Sequence, residues 1–374
     1  MTMLTEEQTI LRDSARAWAK DQAPVGAFRK MRDSGNELGF DRGTFTAISN
    51  MGWTGVIIPE AYGGSEFGYR SIGLVLEELG RTLTAAPLIG SAVGAASAIM
   101  LGGTDAQKQA WLPGIAEGKV IAALAVDEGS RHAPETMATV ATRTKDGYTL
   151  SGTKTFVLEG LAADLLVVAA RTGERHGVTL FLVPADTKGI TRQRRQLIDS
   201  RGYADIVFTD VKLGSDSVLG TADNGSDLLD KVLDRARAAT AAEAYGVTLQ
   251  AFETTVEYMK TRVQFGQTIG SFQALQHRAA KLFTDIQMVR GVVDAALEAI
   301  DEDSPNTAEM VSLAKTMVND LINLVSREMI QLHGGIGMTD AHDAGFYLKR
   351  ARTLEASFGT SAYHRERYAR LKGL

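Results

Sequence analysis

The texture of the chain changes twice along its length. Helical spacing runs to about residue 119, short β-prone runs occupy Val120 to Leu219, and long helical patterns return from Ser226 onward. Helix, strand, helix in consecutive stretches is a restrictive order. It predicts an α+β multidomain chain: an N-terminal helical domain over 1–119, a middle antiparallel β-barrel or sandwich over 120–222, and a C-terminal four-helix bundle over 223–374. In the first stretch Ile10, Leu11, Ala15, Trp18 and Ala19 share a face behind a Thr5/Gln8 capping pattern. Further helices are predicted over Arg42–Met51, Ser71–Arg81, Ala92–Leu101 and Asp105–Glu117. The Pro and Gly of GWTGVIIPEAYGGSEFG, from Gly52 to Gly68, mark a long connection.

Strands are predicted at Ile121–Val126, Thr139–Thr144, Tyr148–Phe156, Leu165–Ala170, Val178–Val183 and Ile206–Val211. Asp146-Gly147, Gly173-Glu174, His176-Gly177 and Lys188-Gly189 supply turn signals between them. The four C-terminal helices are expected over about 227–262, 271–300, 306–332 and 340–356, with Pro305 in the break between the second and third.

Composition narrows the partners. The net charge of -5 gives no electrostatic reason to expect nucleic acid or an anionic membrane. With no cysteine, disulfides, thiolate chemistry and Cys-ligated metals are excluded, no metal site is expected, and a cytoplasmic setting fits. The N-terminal MTMLTEEQTILRD is acidic and amphipathic, unlike a secretory signal. No apolar run reaches the roughly 18 residues that span a bilayer, and the Ala-rich Leu88–Leu101 is short and broken by glycines.

Several separated segments carry a family resemblance. GWTGVIIPEAYGG (52–64), LVLEELGRTL (74–83), QKQAWLPGIAEGK (107–119), YTLSGTKTFVLEGLAAD (148–164), RVQFGQTIGSFQALQHRAA (262–280) and QLHGGIGMTD (331–340) resemble the acyl-CoA dehydrogenase family, in order and over nearly the whole chain. The resemblance implies an FAD cofactor, an acyl-CoA thioester substrate and an oligomer. It also implies an electron-transfer flavoprotein or similar acceptor for the electrons. The family's reaction removes the α-proton with a carboxylate while the β-hydrogen leaves as hydride to the flavin; a weakly acidic α-proton requires a desolvated base and a polarised carbonyl.

The same resemblance assigns cofactor contacts to Arg262, Gln264, Phe265, Gln273, Gln331, Gly334, Gly335, Thr360 and Ser361, the glycine cluster receiving the dinucleotide of a neighbouring subunit. A guanidinium suits a pyrophosphate and glycine lets a backbone approach it. Taken alone, Arg262 reads as a surface arginine at a helix end and the glycines as a helix C-cap. In the β domain the flavin-side positions are Phe156 and Leu158, where the family often has an aromatic and then Thr or Ser. The usual Thr-Glu-Pro-Gly-x-Gly-Ser loop appears as Val126-Asp127-Glu128-Gly129-Ser130-Arg131-His132, with His132 read as a solvated loop residue. Substrate contacts are implied at Asp234, Arg237 and Gly359; for Arg237 an ion pair with Asp230 or Asp234 is the structural alternative.

The base is missing from both places where the family keeps it. One position is Phe358, in Ser357-Phe358-Gly359-Thr360, and the other is Ala236. Glu243, two helical turns after Ala236 in the apolar ATAAEAYG, is the substitute candidate, with a buried ion pair as its structural alternative. Glu355 reads as a helix-surface residue, and Glu77 and Glu78 as structural. Three readings stay open: a subunit of a hetero-oligomer whose partner supplies the Glu, a homo-oligomeric enzyme using Glu243, or a non-catalytic binding or assembly protein of the same fold. A flavin monooxygenase of this fold is a minority variant.

Overall fold

The computed structural model describes residues 3–173 and 177–374, so the turn signals on Glu174 to His176 lie outside the described residues. Ahead of the sheet lie helices α1 (Glu6–Gln22), α2 (Val25–Asp33), α3 (Arg42–Asn50), α4 (Gly68–Arg81), α5 (Ala96–Gly102) and α6 (Asp105–Ala116). The Thr5/Gln8 capping box at α1 forms as expected, satisfying two of the first-turn N–H groups. The Ala-rich stretch departs from expectation: Leu88–Ala95 is a π-helix, all of it buried, and only Ala96–Gly102 is α-helical.

The β region contains β1 (Ala122–Ala125), β2 (Val140–Thr144), β3 (Gly147–Leu158), β4 (Leu165–Thr172), β5 (Gly177–Pro184), β6 (Ile190–Arg195), β7 (Tyr203–Gly214) and β8 (Val218–Leu219). They form a single open sheet in the order β6-β7-β3-β2-β4-β5-β8, with β1 beside β4. The expected antiparallel barrel or sandwich is therefore corrected on two counts: the sheet is not a closed barrel and not purely antiparallel. The ends of the sheet do not join, and β1 and β2 run parallel to β4. Strand periodicity reports which faces are covered, and it carries no information on whether two distant edges meet. The centre of the sheet is Leu166, Val168, Phe181, Val183, Leu150, Ile206 and Phe208, all buried. β4 is buried on both faces, hence its unbroken LLVVAA. β6, reading ITRQRR, lacks that signature and escapes sequence reading because it is a polar edge strand.

After the sheet come α7 (Ser226–Thr261), a two-stranded hairpin β9 (Val263–Gln264) and β10 (Gln267–Thr268), α8 (Gln273–Asp301), α9 (Thr307–His333), α10 (Ala344–Ala356) and α11 (Ser361–Leu371). The fifth helix corrects the expected bundle of four. α11 buries His364 and Arg367 instead of an apolar stripe, so hydrophobic period passes over it. α9 is the axis of this group, packing on α8, α10 and α11.

By internal contact the chain forms two compact units. One comprises Met1–Arg29, Gly73–Thr84 and Arg237–Leu374, the other Lys30–Ile72 and Ala85–Ala236. Within the first, α4 and α7 touch through glycine. A Cβ on Gly246 would lie 1.9 Å from the Glu77 carbonyl oxygen, and one on Gly80 2.5 Å from that of Glu243. Gly246→Ala must push two backbones apart, and a loss of roughly 1–3 kcal/mol is expected. Thermal or urea unfolding measures it; a variant as stable as the wild type would show that the contact is not tight.

Candidate active site

In the unit of Lys30–Ile72 and Ala85–Ala236, the candidate flavin-side segment lies on a β-bulge. Lys154 pairs with Ile206 and Val157 with Ala204, so Thr155 and Phe156 together face the single residue Asp205. A bulge of this kind bends the strand and re-aims a side chain. Phe156 takes φ 53, unusual for a bulky residue, and its N–H donates to Asp205 Oδ1 at 3.3 Å. Phe156 and Leu158 are both half-buried. Leu158 offers no side-chain hydrogen bond.

The 126–139 loop is sewn onto this bulge. Thr155 N–H donates to the Asp127 carbonyl at 2.7 Å, and its hydroxyl to that of Gly129 at 3.2 Å. Lys154, fully buried, donates to the Val126 carbonyl at 2.9 Å and to Glu128 Oε1 at 2.6 Å. Glu128 in turn accepts the N–H groups of Ala138 and Thr139, closing the loop on itself. Burial opposes ionisation of Glu128, but the Lys154 ammonium and the loop N–H groups outweigh it and hold the carboxyl below its usual range. His132 is corrected: its side chain is 3% exposed, with Nδ1 at 2.8 and 3.0 Å from the Asp127 carboxylate oxygens. The sequence hides this because the partners lie five residues apart on an irregular loop.

In the other unit the Phe358–Gly359 turn is held from below. Phe358 has φ 55 and Gly359 φ 116. The Phe358 carbonyl accepts from Arg237 Nε at 3.2 Å and from His364 Nε2 at 3.1 Å. Asn319 Nδ2 donates to the carbonyls of Glu355 and Gly359 at 3.2 and 3.3 Å, and Lys315 Nζ to that of Leu354 at 3.0 Å. Arg237, Lys315, Asn319 and His364 are all completely buried. Burial drives His364 far below its ordinary value, with Lys315 and Arg237 adding to it, so the ring is neutral and donates through Nε2. Arg237 also reaches the Tyr363 hydroxyl at 3.1 Å. It is thus buried and bonded to the turn; the resemblance implied a substrate contact there, with an ion pair to Asp230 or Asp234 as the alternative.

The carboxylates nearest in sequence are engaged. Glu243 makes a two-point pair with Arg350, at 2.9 and 2.8 Å, both side chains buried. The structural alternative for Glu243 is the one seen here, with Arg350 as partner. Glu355 is half-buried, accepting from Asn323 Nδ2 at 2.7 Å and paired to Arg352 at 2.7 Å; burial raises its carboxyl above the usual range. Glu78 is buried and joined to Arg16 and Arg81. Burial pushes Glu77 up to about 7, with Arg290 at 3.8 Å.

The candidate dinucleotide dock is open. Gly334 adopts φ 62, ψ -139, a conformation essentially reserved to glycine, and a Cβ on Gly334 or Gly335 would meet nothing within 4 Å. Gln331, Arg262, Gln264 and Gln273 are exposed, and the Arg262 guanidinium has no ion-pair partner among the described residues. Tyr258, one turn before Arg262, stacks at 4.3 Å on His333, the residue preceding Gly334. The stack ties the end of α7 to the glycine cluster. Phe265 and Gly266 take φ 53 and 81 at the tip of the β9–β10 hairpin, as a type I′ turn demands, and Phe265 is 92% exposed. Thr360 caps α11 by accepting from Tyr363 N–H at 3.4 Å, and Ser361 begins that helix. Asp234 is buried.

Family models for the acyl-CoA dehydrogenase N-terminal, middle and C-terminal domains match residues 5–119, 123–211 and 223–372. A short-chain-specific acyl-CoA dehydrogenase of Megasphaera elsdenii is 30% identical over 335 residues, covering 86% of this chain and 87% of that protein. The solved butyryl-CoA dehydrogenase of Megasphaera elsdenii superposes with TM-score 0.92 at 26% identity, covering all of both chains. A chain of the ChsE4–ChsE5 complex of Mycobacterium tuberculosis superposes with TM-score 0.90 at 25% identity, covering 100% of this chain and 99% of that one.

The buried lysine yields a pH signature. Burial, reinforced by Arg237, pushes the Lys315 amine down to about 7 from its ordinary 10.5. Between those values the unfolded chain binds the proton that the folded chain gives up, so this group makes stability rise with pH from about 7 to about 10.5. Lys315→Met should remove that component. Urea unfolding of both proteins across this range checks it; parallel profiles would contradict it.

Proposed function

Because the chain belongs to the acyl-CoA dehydrogenase family of oxidoreductases, we propose that it is an FAD-binding subunit for α,β-dehydrogenation of an acyl-CoA thioester, working in a hetero-oligomer whose other subunit supplies the catalytic carboxylate. The observation that carries this reading is the turn at Phe358. Its frame is complete, with buried donors on the carbonyls of Leu354, Glu355, Phe358 and Gly359, yet the side chain it presents has no group that accepts a proton. Ala236, the alternative position, is a buried methyl. Glu243 is held at both oxygens by Arg350, and moving it toward a substrate would break both bonds to a buried guanidinium.

The residues present fit a dinucleotide. Arg262 offers a guanidinium with no ion pair among the described residues, Gly334 and Gly335 leave the backbone approachable, and Gln331 and Gln273 are exposed. Phe156 offers a half-exposed ring on a rigid bulge, while Leu158 leaves any hydrogen bond to the flavin on that side to backbone groups. FAD, when bound, accepts the β-hydrogen as hydride. Thr360, Ser361 and Gly359 belong to the turn that borders the reacting carbon in this reading, and electrons pass on to an electron-transfer flavoprotein or a similar acceptor. The exposed apolar residues Phe265, Met338 (78%) and Ile336 (41%) support burial against another subunit. Likeness to a chain of the ChsE4–ChsE5 complex supports a two-chain assembly.

A homo-oligomeric enzyme is the second reading, and it requires a base other than Phe358, Ala236 or the locked Glu243. The deciding measurement is the absorption spectrum and native mass of the purified chain, alone and with a Glu-bearing homologue. Flavin bleaching by an acyl-CoA is expected only in the mixed assembly. Bleaching by the chain alone would sink the two-subunit reading, and protein that stays colourless in both states would favour a non-catalytic role. Phe358→Glu supplies the missing carboxylate on an intact turn; it should confer acyl-CoA-dependent bleaching on a flavin-loaded assembly of this chain, measured by stopped-flow absorbance.

A further inference from the structure

The bulge at Phe156 carries an arrangement that neither sequence pattern nor family assignment accounts for. Asp205 of β7 is the single residue opposite Thr155 and Phe156. It accepts the Phe156 N–H, which the bulge would otherwise leave without a strand partner. The same carboxylate holds Arg195, at the end of the edge strand β6, by two parallel bonds: Nε to Oδ1 at 2.7 Å and Nη2 to Oδ2. The guanidinium thereby lies over the Phe156 ring, 4.4 Å from ring centroid to Cζ. One carboxylate thus fixes both the backbone and the cationic cover of one aromatic side chain. An ordinary surface ion pair would do neither.

This geometry explains how a phenylalanine persists at φ 53 on a strand. A bulky side chain in the left-handed region is unfavourable unless its surroundings determine it from several directions. Here the bulge register, the Asp205 acceptor and the stacked guanidinium all do so. Removing the planar cation releases the ring while Asp205 still holds the backbone. The two effects are therefore separable.

We propose that Arg195 and Asp205 are positioning residues that set Phe156 as an aromatic wall against the bound flavin, with the Arg195 charge acting on the flavin's reduction potential across that ring. This rests on the flavin reading above. A cation near a flavin favours its negatively charged reduced form, so loss of Arg195 should lower the potential. Loss of ring placement should weaken FAD binding.

The test is a double-mutant cycle of Arg195→Ala and Phe156→Leu in whichever assembly of the wild type binds FAD, with Arg195→Lys as a conservative control. FAD affinity is read by flavin fluorescence, the midpoint potential by dye titration, and folding by thermal unfolding. Arg195→Ala should weaken FAD binding roughly 2- to 30-fold, the range open to a cation–π contact, and lower the midpoint potential. In the Phe156→Leu background its effect on affinity should shrink to within about twofold. Arg195→Lys should keep the potential but not the affinity, because a lysine retains charge without the planar two-point fork. Equal effects of Arg195→Ala with and without the Phe156 ring would overturn the proposal. So would lower thermal stability with unchanged affinity and potential. A wild type that takes up no FAD, alone or with a Glu-bearing homologue, overturns both this proposal and the flavin reading; FAD uptake that ignores Arg195 overturns this one alone.

Discussion

Backbone carbonyls left over at the end of a helix must find donors, and inside a helical bundle water does not supply them. At the end of α10 the donors are side chains: Lys315 and Asn319 one turn apart on α9, Arg237 from α7 and His364 from α11. Three of these four are basic residue types, and all four are completely buried. Their burial depresses Lys315 and His364, which keeps the cluster from accumulating several full charges. The route of the chain from α10 into α11, with Phe358 in the left-handed region, follows from this set of bonds.

The frame is independent of what the turn presents. Each of these bonds goes to a main-chain carbonyl, and none of them uses the side chain at 358. These bonds therefore do not depend on the residue type at position 358. Glu243 shows the converse. It has the residue type and the apolar setting of a base, yet Arg350, 107 residues away, engages both of its oxygens. Residue type and local hydrophobicity describe a neighbourhood; the partner comes from a distant part of the chain.

The β region follows the same logic. The 126–132 loop departs from the family's Thr-Glu-Pro-Gly-x-Gly-Ser pattern, and His132 reads as a solvated residue. In the structure Glu128 joins the buried Lys154 to the far end of the loop, and His132 is packed against Asp127. Neither carried a readable hint: Lys154 stands in the polar run SGTKT of its strand, and His132 on an irregular loop.

By itself the sequence determined the order of helix, strand and helix, most element positions, the α1 capping box, and the absence of a carboxylate at Phe358 and Ala236. These are local or one-dimensional properties: periodicity, turn residues and the identity of a side chain at a matched position. Tertiary structure alone decided that the sheet stays open with β1 and β2 parallel to β4, that α11 exists around a polar core, and that Glu243 belongs to Arg350. It also decided that Asp205 faces a bulge and carries Arg195 onto Phe156. Each depends on which distant segments meet, and a pattern of residue types along one chain does not encode the pairing of its edges or its buried charges.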